Sequence, residues 1–186
     1  MAINAYLGST VEDYNDGAMD KLNALDIYCP EHGCKMVLHD HYYRGIKELG
    51  VEIRINRLIC HECGKTHAIL PDFLQPYKQY SANQIESVLK NDTENNPEEV
   101  EMVNAITKSR WRKTMGAKVL AMASMMSVLA LETAGRTVSL ITLGDMPYVS
   151  QILEIAKCLP AIKSSGNALG MACMYLGQRY AWVWSL

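Results

Sequence analysis

The chain has 186 residues, a formal net charge of −2 and 49% hydrophobic residues. A chain of this length can bury a real core in one or two compact units, so a bound metal need not supply all of the stability. The acidic N-terminus lacks the basic flank of an export signal, and the longest apolar run, residues 119–131, is shorter than a membrane span requires. We therefore expect a cytoplasmic protein without a membrane segment, whose thiols stay reduced.

Two pairs of cysteines follow the acidic segment 1–28, which carries a net charge of −4. Cys29 and Cys34 form the first short loop, and Cys60 and Cys63 form the second. A tetrahedral metal needs four ligands from two tight turns, and short cysteine loops at the ends of a β-hairpin supply them. The spacing predicts a zinc ribbon in which these four cysteines hold a structural Zn²⁺.

The two loops differ in how well they define their ligands. The second has the form C-x2-C-G-K, in which Gly64 lets the chain turn sharply and direct backbone N–H groups at the thiolates. The first also contains His32, which gives an alternative set with His32 in place of Cys34. Buried free cysteines that bind no metal are a further alternative. Cys158 and Cys173 lie in apolar surroundings, and we interpret them as core thiols.

The segment between the loops has the alternation of a β-hairpin. In residues 51–59 the apolar Val51, Ile53 and Ile55 alternate with polar residues, which predicts a half-buried strand, and residues 36–43 are its expected partner. His39 and His41 are two apart on that partner and are expected on one side of it, with Arg44 nearby. There they would contact a phosphate or orient a metal ligand through a hydrogen bond. An ordinary polar strand face is the alternative.

Beyond the second loop the pattern changes from strand to helix. Two prolines keep residues 68–76 extended, and Ser81 begins a capping box that predicts a short helix. Residues 91–97 are a polar linker, and Asn96 with Pro97 forms a well-specified helix start.

The fold class expected from these elements is α+β, with an N-terminal zinc-ribbon hairpin followed by a mainly α-helical region. Residues 137–143 are compatible with a strand or a helix. The expected parts are the acidic segment 1–28, the zinc ribbon and extended arm 29–80, a short helix and linker 81–96, and a helical domain 97–186.

Positive charge is concentrated at the start of the helical domain. Residues 102–186 carry a net charge of +6, and no acid occurs between Glu101 and Glu132. Such a cluster is typical of a surface that binds a phosphate backbone, although a solvated helix face is the alternative. We expect Trp111 to pack inward and fix this helix. The cluster comprises Lys108, Arg110, Arg112, Lys113 and Lys118.

The run from Cys60 to Ser81 and the upstream sequence His39-Asp-His-Tyr-Tyr-Arg44 resemble a known group of proteins. This is a bacterial family of zinc-ribbon, transposase-like proteins classed as a domain of unknown function, and the resemblance covers residues 27–90. It implies a helix-turn-helix-like segment after the ribbon, around residues 106–115, and association with DNA.

Catalysis is not expected. Nucleases of transposases need three carboxylates around two metal ions, whereas only Glu132, Asp145 and Glu154 follow Glu101, and a zinc closed by four cysteines is structural. We predict a non-catalytic, zinc-dependent protein of mobile-element or regulatory type that binds double-stranded DNA. An adaptor that binds a protein partner through its methionine-rich helical region is the alternative. The expected DNA contacts are Lys108, Arg110, Arg112, Lys113, Arg44, His39 and His41.

Overall fold

The structure is a computed structural model that describes residues 2–90, 102–136, 138 and 146–177. Within these residues the chain is a mixed α+β protein with a four-stranded sheet and five helices, so the predicted class is confirmed. The predicted linker and helix start at residues 91–97, and all of segment 137–143 except Val138, lie outside the described residues. In chain order the elements are β1 (Ala2–Ala5), α1 (Val11–Asn23), β2 (Val37–Ile46), β3 (Val51–Ile59), β4 (Thr66–Pro71), α2 (Ala82–Lys90), α3 (Ala105–Ala134), α4 (Tyr148–Ala156) and α5 (Ala168–Gly177).

The strands lie in the order β1-β4-β3-β2. β3 has the bounds predicted for the strand 51–59, and it pairs antiparallel with β2 on one side and with β4 on the other. The chain reverses before β3 at Gly50, whose φ of +62° is a left-handed conformation that glycine adopts without strain. β1 lies parallel to β4. The acidic N-terminal segment therefore contributes a strand and a helix, neither of which was predicted.

One hydrophobic core lies between the sheet and α1. The Thr10 hydroxyl caps α1, and the helix then buries Tyr14 and Leu22 in this core. Cys29 and Cys60 are buried in the same core. The candidate metal ligands are therefore attached to packed structure at one end of the β2–β3 pair, one turn before β2 and the other after β3.

A second core lies among α2, α3, α4 and α5. The Gln84 N–H donates to the Ser81 hydroxyl at 3.2 Å, which confirms the predicted cap of α2. Trp111 is 4% exposed and lies edge-on to Tyr80, with ring centroids 5.0 Å apart, so the prediction that Trp111 packs inward is confirmed. Methionines spaced along α3 also belong to this core, namely Met115, Met122 and Met126.

The helix α3 is continuous over 30 residues. The Asn104 side chain accepts a hydrogen bond from the Thr107 N–H at 2.8 Å and so caps its start, and Gly135, with a φ of +61°, ends it. The predicted helix-turn-helix segment, residues 106–115, falls in the first part of this helix. Because residues 91–101 lie outside the described part of the chain, the helix-turn-helix itself remains a prediction.

Among the described residues, α3 is the one helix that is long and apolar enough to cross a membrane. Its most apolar 18-residue window has a mean hydropathy of 1.6, and 39% of that window is buried inside the protein. Core helices of water-soluble proteins meet the same length and composition criteria. The absence of a membrane segment therefore stays a prediction.

The two cores meet at the end of β4. The buried Asp72 carboxylate accepts hydrogen bonds from the Ser165 amide at 2.6 Å and from the Ser165 hydroxyl at 2.5 Å. In α5, Gly170 lies so close to the Asp72 carbonyl that a Cβ atom would overlap it. These contacts join the sheet half to the helical half. The predicted division of the chain into four parts stays a prediction.

Candidate metal centre

The first ligand turn spans residues 29–34. The Gly33 N–H donates to the Cys29 carbonyl at 2.7 Å, and the Cys29 N–H donates to the Cys34 carbonyl at 2.8 Å. Gly33 has a φ of +65°, in the left-handed region that a residue with a Cβ atom enters only with strain. The sequence therefore folds here into a tight turn, and its left-handed residue, Gly33, directly follows His32.

The second ligand turn, residues 60–65, repeats this pattern. The Gly64 N–H donates to the Cys60 carbonyl at 2.8 Å, and the Cys60 N–H donates to the Lys65 carbonyl at 3.0 Å. Gly64 has a φ of +69°, so it makes the sharp turn that the sequence predicted for it. Because both turns have the same two backbone hydrogen bonds, their residues can be matched position by position. Cys29 corresponds to Cys60, His32 to Cys63, Gly33 to Gly64, and Cys34 to Lys65.

Four side chains converge between the two turns, with one donor atom from each of Cys29, His32, Cys60 and Cys63 lying within 4.8 Å of the others. The sulfurs of Cys29 and Cys63 are 4.0 Å apart, and the Cys29 sulfur is 3.8 Å from His32 Nδ1. Two sulfurs bound to one tetrahedral zinc at about 2.3 Å would be about 3.8 Å apart, so the spacing fits such an ion. This Cys3His cluster can hold a metal ion.

Cys34 lies beside the cluster rather than in it. Its sulfur is 3.1 Å from the Cys60 sulfur, which is shorter than the separation of two zinc-bound thiolates. Three of the four predicted ligands, Cys29, Cys60 and Cys63, are thus brought together, and the fourth member of the group is His32, the alternative named from the sequence. The predicted role of Cys34 as a ligand stays a prediction.

The thiols at this centre differ in their pKa values, and that of Cys63 is raised. The Cys63 amide donates to the Cys60 sulfur and lowers the pKa of Cys60 to about 6, while hydrogen bonding to Cys60 raises the pKa of Cys34 to about 11. The Lys65 ammonium contacts both Glu31 carboxylate oxygens at 2.7 Å and so links the two turns, and it lowers the pKa of Glu31. Thiolates at neutral pH are the form that binds a metal.

The other two cysteines lie apart from this centre. Cys173 is fully buried in the helical core, where burial raises its pKa to about 12, and Cys158 packs against the same core. The interpretation as a core thiol is therefore confirmed for Cys173, whereas Cys158 is half-buried at the edge of the core.

The ribbon residues predicted to touch DNA are placed differently from one another. Arg44 is tied to the loop after β4, because its guanidinium donates to the Gln75 carbonyl at 2.6 Å and to the Lys78 carbonyl. His39 and His41 are exposed on the edge strand β2, where the pairing register shifts between Leu38 and Asp40. Neither histidine belongs to the Cys3His cluster, and their contacts with phosphate stay predictions.

The basic residues of α3 surround its buried stripe. Arg110 and Lys113 are exposed, Lys108 is half-buried, and the exposed Arg112 places its Nε 3.4 Å from the Val88 carbonyl. The structure thus places these cations on the continuous helix α3, apart from the Cys3His cluster.

The sequence predicted Cys34 as the second ligand of the first turn and offered His32 as the alternative. The signal for His32 was present in the printed sequence, since Gly33 follows His32 as Gly64 follows Cys63. The Asp72–Ser165 link had no such signal, because its partners are far apart in the chain.

Comparison with known proteins adds one match. A family profile described as "Domain of unknown function (DUF6431)" matches residues 29–111, slightly less than half of the chain. The matched region contains both ligand turns, β2 to β4, α2 and the start of α3, so this part of the chain is similar to that family. The description assigns no function, and the transposase-like character stays a prediction. No curated protein and no solved structure matches the chain.

Proposed function

We propose that this protein is a non-catalytic, zinc-containing protein that binds double-stranded DNA, of mobile-element or regulatory type. The observation that carries the zinc part is the convergence of three thiols and one imidazole from two equivalent turns. The exposed cations on α3 support the DNA part. Because metal-binding thiols must stay reduced, we also propose an intracellular, reducing location.

The zinc would be held by Cys29, His32, Cys60 and Cys63, in the manner of a zinc ribbon. When bound, it supplies a cross-link between the two turns. The equivalence of the turns supports His32 over Cys34, because His32 occupies the position of the ligand Cys63. Four protein ligands leave no open position for water or substrate, which supports a structural rather than a catalytic site.

Variants of the ligands test this set. Cys60→Ser combined with Cys63→Ser should remove the metal and unfold the ribbon. His32→Ala should also lose zinc at a competing chelator concentration that leaves the wild type loaded, whereas Cys34→Ser should keep it. Metal is measured by elemental analysis of the purified, full-length protein. Retention by His32→Ala together with loss by Cys34→Ser would restore the four-cysteine set.

DNA binding would use the exposed start of α3. Arginine and lysine side chains neutralise phosphates and release counterions, and arginine also makes bidentate contacts with guanine edges in the major groove. Between Glu101 and Glu132 the sequence contains no acid that would oppose these charges. The helix is fixed from behind by Trp111, so its cations are held in position without further folding.

A charge-matched pair of variants tests the DNA surface. Arg110→Ala with Lys113→Ala removes two exposed cations and avoids Arg112, which contacts the Val88 carbonyl. The slope of log affinity against log salt for random duplex DNA should fall by about 1.8, since each lost phosphate contact removes about 0.9. The control, Lys35→Ala with Lys157→Ala, makes the same change in net charge elsewhere and should leave the slope unchanged. An equal effect of both pairs would place the DNA surface elsewhere.

The second candidate is an adaptor that binds a protein partner. Its specific support is a stripe of exposed apolar side chains on α3, at positions that share one side of a helix. A partner bound there should be insensitive to salt, in contrast to DNA. The stripe comprises Leu120, Val128 and Leu131, which are 37%, 50% and 52% exposed.

A further inference from the structure

An open groove of 470 Å³ lies on the face of the sheet, bordered by the loop that follows β4. Small and aliphatic side chains, including Ala2, Ala68 and Leu70, form part of its lining. Tyr42 of β2 and Tyr77 of the loop also line it. The rest of the lining is polar or charged, and a groove of this size that combines aromatic rings with polar groups can accept a flat ring system such as a nucleobase.

Tyr77 is the most unusual residue of the groove. It is 81% exposed, and its φ of +60° makes it the one non-glycine residue with a left-handed backbone among the described residues. A bulky side chain in this conformation is strained, and an exposed aromatic ring gains nothing from burial. Strain and exposure at the same residue, at the edge of a groove, indicate that the ring serves a bound molecule.

The backbone of this edge is fixed in advance. Arg44 donates to the carbonyls of Gln75 and Lys78, on either side of Tyr77, and so holds the loop against the sheet. A loop ordered before binding does not have to lose conformational freedom when the ligand arrives.

The lining of the groove also contains three cationic side chains, Arg44, Arg57 and Lys78, and no acidic one. Lys78 directly follows Tyr77 in the loop, and burial lowers its pKa, as do the charges of Lys118 and Arg110. Arg57, on the other side, is paired with Asp40 and stacks near the Tyr42 ring, 6.0 Å from its centroid. Arg44 and Arg57 are thus engaged within the protein, and Lys78 is the lining cation that can meet an anionic group next to the two tyrosines.

We propose that this groove binds an unpaired nucleotide of a single-stranded nucleic acid, whose base stacks on Tyr77 and Tyr42 while Lys78 contacts its phosphate. Single-strand binding sites combine these two features, a ring on which any base can stack and a cation that follows the backbone. The site goes beyond the duplex surface proposed for α3 and rests on other residues, apart from the neighbouring Arg110.

The test uses the full-length, zinc-loaded protein and a labelled oligothymidine strand in a fluorescence anisotropy titration. Tyr77→Gly should weaken binding by about tenfold or more, because the variant loses the free energy of stacking one base on an aromatic ring. Glycine accepts the left-handed backbone, so the thermal midpoint of this variant should not fall. Tyr42→Ala should weaken binding in the same way.

Tyr43→Ala is the matched control. Tyr43 is 64% exposed and follows Tyr42 in β2, so it points to the opposite face of the strand, and its loss should leave strand binding unchanged. Lys78→Ala should reduce the salt slope for the single strand by about 0.7. Equal effects of Tyr43→Ala and Tyr77→Gly, or no effect of Tyr77→Gly and Tyr42→Ala, would overturn the proposal.

Two further comparisons identify the ligand. Thymidine monophosphate should bind more weakly than the strand, and equal affinities would overturn a strand site in favour of a free nucleotide. Tyr77→Gly should leave duplex binding unchanged, while Arg110→Ala with Lys113→Ala should weaken it. Loss of single-strand binding in Tyr77→Gly supports the groove even where duplex binding proves absent, so the two proposals fail independently.

Discussion

Gly33 and Gly64 determine the geometry of the metal centre at the scale of single residues. Each takes a left-handed conformation directly after a candidate ligand, and no atom lies within 4 Å of the place where a Cβ would stand. A side chain there would thus be opposed by backbone strain rather than by a clash. The strain would act on the turn that directs the preceding side chain, His32 or Cys63, into the Cys3His cluster.

Gly64→Ala is expected to lower the free energy of unfolding by about 1–2 kcal/mol, the cost of a left-handed alanine. Urea denaturation of the zinc-loaded protein measures this. Gly45→Ala is the control, because Gly45 lies in β2 without a left-handed φ and also has no atom within 4 Å of a Cβ. A loss of stability as large in Gly45→Ala as in Gly64→Ala would contradict the explanation.

Much of the metal centre is predictable from the sequence, because cysteine spacing directly reflects the length of a ligand turn. Cys29, Cys60 and Cys63 follow from that spacing alone. The choice between His32 and Cys34 does not, since both follow Cys29 within one turn and both donate to zinc. The hydrogen bonds of the turns show that His32 takes the position of Cys63, and the glycine that follows each of these two residues is the matching signal in the sequence.

At the scale of elements, close packing of α5 on the end of β4 depends on a residue without a side chain. Gly170 lies against the Asp72 carbonyl, and the neighbouring Asn167 side chain accepts from its N–H at 2.5 Å. A Cβ atom at this position would push α5 away from the sheet. The starts of α2 and α4 and the end of α3 were predictable from Ser81, Pro147 and Gly135, because capping residues and prolines act locally. The pairing of β1 with β4 was not, since β1 has four residues and its partner is distant in the chain.

Gly170→Ala is expected to destabilise the protein by about 1–3 kcal/mol or more, as overpacking does in a close contact. Gly116→Ala makes the same chemical change in α3, where no atom lies within 4 Å of a Cβ, and should stabilise by about 0.5–1 kcal/mol through helix propensity. Thermal unfolding of the two variants gives the comparison. Opposite signs are expected, and a stabilising Gly170→Ala would disprove the close contact.

At the scale of the whole molecule, the sheet with its metal centre and the helical core form two packed halves joined at Asp72 and Ser165. The Cys3His cluster lies between the two turns at one end of the sheet, while the cations of α3 extend from the helical half. Zinc would therefore stabilise the fold of the sheet half, whereas DNA would bind to the surface of the helical half.

The most direct measurement is a titration of random duplex DNA with zinc-quantified protein at two salt concentrations. The account predicts about one zinc per chain and binding that weakens steeply with salt, because each neutralised phosphate adds about 0.9 to the log–log slope. A folded, zinc-loaded protein that does not bind DNA at the lower salt concentration would contradict the proposed function.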